Sequence, residues 1–177
     1  MVDFFNTLSL LRSFSERKNY VAMHYALLGS GTGRCVYDLE NGLVLKLARN
    51  KRGIEQNRNE AVIGLDHANH ACVAPVTMSH ERGYYLVMTK TAKVNEEEFF
   101  CQYGSPFEDF LYFLRFQRPW NNAPTIYTEV RRVLHDYQLD HFDLSDKSSW
   151  GILNNNPVLI DYGLTLALSR ALYNVAY

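Results

Sequence analysis

The chain has 177 residues, 47% of them hydrophobic, which is enough for a buried core and few enough for one domain or two small lobes. With 18 basic and 19 acidic residues the net charge is −1, so there is no broad pull toward nucleic acid or an anionic membrane, and any polyanion has to be met locally. Three separated cysteines, Cys35, Cys72 and Cys101, fit reduced packing thiols better than a disulfide framework. Residues 1–17 carry Asp3, Arg12, Glu16 and Arg17 and are read as neither a signal peptide nor a membrane span, so the expectation is a cytoplasmic protein with no membrane partner.

Asp3 is placed to cap a first helix over 1–19, with Phe4, Phe5, Leu8, Leu11 and Phe14 at helical spacing and Arg17 and Lys18 at its end. Three strands are expected next: Val21 to Leu28, Cys35 to Leu39 and Leu43 to Ala48. Asn41-Gly42 between the last two is a hairpin signal, because both residues tolerate the positive φ of a type I′ turn. The glycine cluster Gly29-Ser30-Gly31-Thr32-Gly33-Arg34 separates the first two. Such glycines let backbone N–H groups approach phosphate oxygens, although an ordinary turn explains a lone cluster equally well. It is not a Walker A loop, since no Lys-Ser/Thr follows and the chain enters a strand.

Lys46 sits among apolar residues on the third strand, so its ammonium either snorkels at an edge or meets an anion and a carboxylate in a cleft. The helix expected over Glu55 to Leu65 offers Glu60 as that carboxylate. His67, His70 and Cys72 lack a second ligand pair and are read as capping or packing residues. Val73 to Met78 and Tyr84 to Met88 make two more strands. Beyond them the chain turns helical: Asn95 with Glu98 and Ser105 with Glu108 look like capping boxes, Phe107, Phe110, Leu111 and Leu114 form one apolar stripe, and Ile126, Val130, Val133, Leu134 and Tyr137 form another. The aromatic-rich stretch Phe99 to Trp120 suits either an interface or a core.

The second of these helices leads to His141-Phe142-Asp143-Leu144-Ser145-Asp146-Lys147-Ser148, with Asp143 expected in a polar loop. A short hairpin, Trp150 to Leu153, a turn at Asn154 to Pro157 and Val158 to Ile160, then presents Asp161-Tyr162-Gly163. A final amphipathic helix is expected over residues 164–177, using Leu166, Leu168, Leu172 and Val175.

Taken together, these motifs resemble the protein-kinase-like superfamily, in particular small kinase-like proteins of bacteria and their viruses. The glycine loop matches at Gly29, Gly31 and Val36, with Arg34 where the last glycine would stand. His141-Phe142-Asp143 resembles the His-Arg-Asp signature and Asp161-Tyr162-Gly163 the Asp-Phe-Gly signature, eighteen residues apart as in the family. Ser148 falls where the family has its second metal ligand, an asparagine, Ser145 falls where it has a lysine, and Lys147 is the nearest substitute charge.

The resemblance implies an α+β, two-lobed kinase-like fold: an antiparallel five-stranded N-lobe over 20–92 and a truncated, mostly helical C-lobe over 93–177, with Thr89 to Lys93 as an adenine-binding hinge. It implies ATP and Mg²⁺, with Gly29, Ser30, Gly31, Thr32, Gly33, Arg34 and Val36 covering phosphates and Lys46 binding them while Glu60 holds it. Asp161 and Ser148 would ligate the metal, and Asp143 would orient the attacking hydroxyl. The expected activity is transfer of the γ-phosphoryl group to a hydroxyl. Alternatives are a pseudokinase serving as a protein-interaction module, or AMP transfer on the same fold. With 14 residues after Gly163, a conventional protein kinase with its peptide-docking helices is not the expectation.

Overall fold

The computed structural model describes residues 2–173. It is an α+β chain in two compact units, one made of Met1–Leu65 with Pro75–Lys90 and the other of Asp66–Ala74 with Thr91–Tyr177.

The first unit opens with two helices where one was expected: α1 (Val2–Leu10) and α2 (Phe14–Ala22). The break comes from a reciprocal capping box, in which Ser13 Oγ accepts the Glu16 N–H at 3.1 Å and Glu16 Oε2 accepts the Ser13 N–H at 2.9 Å. Because α2 runs to Ala22, the first strand starts later than its apolar run suggested. It is β1 (Leu27–Ser30), followed by β2 (Arg34–Asp38) and β3 (Leu43–Ala48). α3 (Lys51–Leu65) begins four residues earlier than expected because Asn50 Oδ1 accepts the Gly53 N–H. β4 (Val76–Ser79) and β5 (Tyr85–Thr89) complete a five-stranded sheet of order β1-β2-β3-β5-β4, antiparallel at every pairing.

The β2–β3 connection differs from the expected type I′ turn. Asp38 pairs with Val44, and the Leu39 N–H bonds the Leu43 carbonyl, which leaves a three-residue loop. Its positive φ angles fall on Glu40 and Gly42, and Asp38 Oδ1 accepts the Glu40 N–H.

Directly paired residues of an antiparallel sheet share a face, and alternate residues take opposite faces. Cys35, Tyr37, Leu45, Leu47, Tyr85 and Val87 therefore line one side, where they pack with Phe4, Phe5, Leu8 and Val21 of the two N-terminal helices. The opposite side carries Arg34, Val36, Lys46 and Leu86, with α3 against the sheet and Glu60 and Ile63 buried on that helix.

The second unit contains α4 (Glu96–Tyr103), α5 (Phe107–Arg115), α6 (Thr125–Asp136), the one-turn α7 (His141–Leu144), the hairpin β6 (Trp150–Leu153) and β7 (Asn156–Leu159), and α8 (Leu166–Tyr173). Asn95 caps α4 by accepting the Glu97 and Glu98 N–H groups. Ser105 does not cap α5, whose N-cap position is Pro106 and carries no side-chain cap. The expected contributions of Leu172 and Val175 to the last helix lie outside the described side chains.

The β6–β7 turn is tighter than expected. Asn154 and Asn155 both have positive φ, and Leu153 pairs with Asn156, which draws Pro157 into the strand. Pro157 is tolerated there because Ile152, opposite it, spends both its N–H and its carbonyl on Ala92, at 2.8 and 3.0 Å. Gly151 permits that approach, since a Cβ there would lie 2.6 Å from the Thr91 Cβ.

The core of this unit is aromatic: Trp150 meets Phe110 edge-on at 5.0 Å and Phe107 at 6.0 Å. The stretch Phe99 to Trp120 is divided between two environments. Phe99, Phe107 and Phe110 are buried, while Phe100, Tyr112 and Phe116 are exposed.

Candidate functional site

In the first unit, β2, β3 and α3 bring three buried charges together. Lys46 Nζ lies 2.8 Å from Glu60 Oε2 and Arg34 Nη2 lies 2.9 Å from Glu60 Oε1, so one carboxylate orients both cations. Glu60 has no exposed surface and the two cations have 6% or less. Ionised groups stripped of water to this degree persist only with partners.

Asn57, one turn earlier on α3, completes the arrangement. Its Oδ1 accepts from Arg34 Nη1 at 3.4 Å, and its Nδ2 donates to the carbonyls of Lys46 at 3.3 Å and Gly83 at 3.0 Å. Sequence reasoning missed Asn57. The available signal was its position three residues before Glu60, on the same helix face.

The glycine cluster is divided between strand and turn. Gly29 and Ser30 end β1, and residues 31–33 form the turn into β2. A Cβ on Gly29 or Gly31 would meet no atom within 4 Å, whereas one on Gly33 would lie 2.6 Å from Gln56 Oε1. The turn is tied at its base by Arg49, which donates to Ser30 Oγ at 2.9 Å and the Gly31 carbonyl at 2.7 Å, and by Asn50, which donates to the Thr32 carbonyl at 2.9 Å. Two of its glycines therefore face open space and the third serves packing. Val36 stands opposite Lys46 in the register of β2 and β3. Arg34, read as an extra charge for phosphates, lies inside the Glu60 network.

In the second unit, Asp143 lies within α7 rather than in a loop. The helical turn is started by Asp140, whose Oδ1 accepts the Phe142 N–H at 2.9 Å. Ser149 Oγ donates to the Asp143 carbonyl and Trp150 Nε1 to the Leu144 carbonyl, each at 2.8 Å, so side chains that follow the turn fix its backbone. Burial holds the His141 imidazole below its ordinary pKa, against an opposing pull from Asp140. Asp140, Ser149 and Trp150 were not singled out from the sequence. Asp140 was readable as a cap, three residues before Asp143.

Asp161 lies two residues beyond β7, after Ile160, whose N–H bonds the Ser149 carbonyl at 2.8 Å. The strand itself is seated on the segment before β4 through Ala74 N–H to Leu159 O and Leu159 N–H to Cys72 O, both 2.8 Å. Tyr162, where the resembled motif has Phe, is fully buried and donates its hydroxyl to the Ala74 carbonyl at 2.8 Å. Ser148 is exposed, and its Oγ donates to Asp146 Oδ1 at 2.7 Å. Lys147 pairs with Glu96.

The stretch read as a hinge uses several of its donors internally: Thr89 N–H to Pro75 O, Lys90 N–H to Gly42 O, and Ala92 N–H to Ile152 O. His70 bonds the Tyr137 hydroxyl at 2.9 Å, and burial pushes the Cys72 thiol up to about 12.

Among the described residues no group of three or more His, Cys, Asp or Glu side chains is placed to hold a metal ion, and no helix is long and apolar enough to cross a membrane. Mg²⁺ takes oxygen ligands and uses few from protein, keeping water and phosphate oxygens for the rest, and Asp161 and Ser148 each carry oxygen donors of that kind. No family model and no curated protein matches the chain.

Proposed function

We propose that the chain is a kinase-like, ATP-binding phosphotransferase that moves the γ-phosphoryl group of Mg-ATP to a hydroxyl acceptor. The observation that carries this reading is the buried Lys46–Glu60 ion pair between the third strand and the following helix. Lysine is almost never this buried unless paired, and a lysine committed to phosphate oxygens needs a carboxylate to hold its ammonium in place.

In this reading Lys46 binds phosphate oxygens and the open glycines Gly29 and Gly31 give backbone donors room to approach. Asp161 ligates Mg²⁺ with Ser148, and Asp143 accepts the proton of, or orients, the attacking hydroxyl. Phosphoryl transfer needs mainly alignment and neutralisation of charge, and each of these roles supplies one or the other.

Ser148 favours a second reading, a nucleotide-binding module without turnover. Its hydroxyl already donates to Asp146, and a hydroxyl is a poorer metal ligand than the amide the family has there.

The test is the thermal unfolding midpoint with and without ATP at fixed Mg²⁺, for the native chain, Lys46→Ala and Asp161→Ala. A ligand at about 100 times its Kd stabilises the native state by roughly 2.7 kcal/mol, or about 5–11 °C for a domain of this size. The native chain is expected to shift with ATP and both variants to lose the shift. No shift in the native chain overturns nucleotide binding. A shift without transfer of labelled phosphate to any acceptor selects the second reading.

A further inference from the structure

We infer that the end of α5, the loop after it and the outer face of α6 form a binding surface for single-stranded nucleic acid, independent of the ATP-binding reading. The charge balance of the whole chain gives no such signal; the local balance does. From Arg115 to His135 the chain holds Arg115, Arg118, Arg131 and Arg132 against Glu129 and no lysine, while the acids Glu108 and Asp109 lie at the start of α5 and Asp136 at the end of α6. All four arginines are exposed. Among the described residues none of them forms a salt bridge, and Arg132 donates to the Asn69 carbonyl at 3.5 Å.

Three of the four arginines are presented on rings. Arg118 lies 5.6 Å from the Tyr112 ring centre and 5.9 Å from that of Phe116, Arg115 lies 5.6 Å from Phe142, and Arg131 lies 5.8 Å from Tyr127. The Trp120 ring stacks on Phe113 at 4.5 Å and 11°, and the Tyr127 hydroxyl bonds the Arg118 carbonyl at 2.6 Å, which locks the loop between the two helices. Between that loop and the α6 face Thr128, Arg131, Arg132 and His135 lies a depression of about 480 Å³, the size of a nucleotide-scale ligand.

Two features select nucleic acid over an acidic protein. Guanidinium groups pair bidentately with phosphates and carboxylates alike, but they also stack on bases, which an acidic side chain does not offer. In addition Phe116 and Tyr112 are 52% and 44% exposed, and bases stack on such rings regardless of sequence, whereas carboxylate side chains do not.

The test is fluorescence anisotropy of labelled oligo(dT) and oligo(U), about 12 nucleotides long, beside a labelled oligo-glutamate of equal charge, without ATP or Mg²⁺. Four phosphate contacts give a slope of about −2.8 in log K against log salt, a loss of roughly 50-fold between 50 and 200 mM. Replacing all four arginines by Gln is expected to abolish binding. Tyr112→Ala with Phe116→Ala is expected to weaken it by about 5-fold or more, at an unchanged salt slope.

Oligo-glutamate binding as tightly as the oligonucleotides, or no oligonucleotide binding by the native chain, overturns the assignment. So does a quadruple variant that melts like the native chain and still binds. If that variant does not fold, the native salt slope and the preference over oligo-glutamate decide the matter. Because no ATP is present, none of these outcomes bears on nucleotide binding at Lys46.

Discussion

Gly53 of α3 lies so close against Gly33 of the glycine turn that a Cβ on Gly53 would overlap the Gly33 carbonyl oxygen and stand 2.9 Å from its carbonyl carbon. The same Cβ would be 3.1 Å from the Ala48 Cα. This backbone-to-backbone seat sets the height of α3 over the sheet, and with it the reach of Glu60 to Lys46. Gly53→Ala therefore works against helix propensity, which alone would favour alanine by about 0.8–1 kcal/mol. A net loss of about 1–3 kcal/mol is expected from overpacking, a fall in Tm of about 2–12 °C. A Tm that rises would show that the helix does not sit where the glycines put it.

Glu60→Gln tests the buried network directly. The substitution keeps volume and removes the charge that orients Lys46 and Arg34, both nearly without solvent. Breaking a buried pair by neutralising one partner costs about 3–5 kcal/mol, or about 6–20 °C in Tm at this chain length. A Tm unchanged within a degree or two would mean that the carboxylate contributes little to either cation.

Tyr162→Phe restores the residue of the resembled motif, yet it is expected to destabilise this chain. The hydroxyl is the donor to the buried Ala74 carbonyl, and an orphaned buried acceptor costs about 1–3 kcal/mol. Urea titration of the two proteins at constant m reads the difference. Equal midpoints would show that another group satisfies Ala74.

The sheet was legible where local signals agreed. Leu43 to Ala48 is bounded by a turn and an Asn-capped helix, and all five strands of the antiparallel sheet could be counted from their apolar runs. The first strand was misplaced because Val21 and Ala22 read as strand residues in isolation, whereas the Ser13–Glu16 box had already committed them to α2. There Tyr20 stacks on Phe4 at 5.1 Å. Similarly, Asp143 read as a loop residue because the cap that makes its turn helical, Asp140, looked like one more acid in a polar run. Lys46 and Glu60 were paired from order along the chain. What pattern reading missed were residues whose partners are distant in sequence: Asn57 bonding Gly83, Tyr162 bonding Ala74, and the Gly33–Gly53 seat.

The three cysteines separate by reactivity. Cys101 is exposed on α4, whereas Cys35 and Cys72 are buried, and desolvation holds the Cys72 thiol far above neutrality. Because the thiolate is the reacting species, a disulfide reagent is expected to label one thiol per native chain quickly, and all three in denaturant. Mass mapping should find the fast label on Cys101. Rapid labelling of Cys72 would contradict its burial beside Leu159.

Acidification is expected to destabilise the fold through two histidines before it reaches the carboxylates. Burial holds both His80 and His141 below the ordinary 6.5, with Arg17 and Arg82 adding to the effect at His80 and Glu81 opposing it. A histidine whose folded pKa is depressed binds its proton more readily when unfolded. Its contribution is therefore complete above about pH 6.5 and is lost as pH falls through the lowered folded value. Glu16 and Asp38, held below 4.5 and 3.8 by hydrogen bonds from the Ser13 backbone and Lys90, act in the same direction only at lower pH. Denaturant melts between about pH 7.5 and 5 should show stability falling with pH, and the slope should be shallower in His80→Gln and in His141→Gln. Stability that stays flat or increases on acidification in this window would mean that neither imidazole is desolvated.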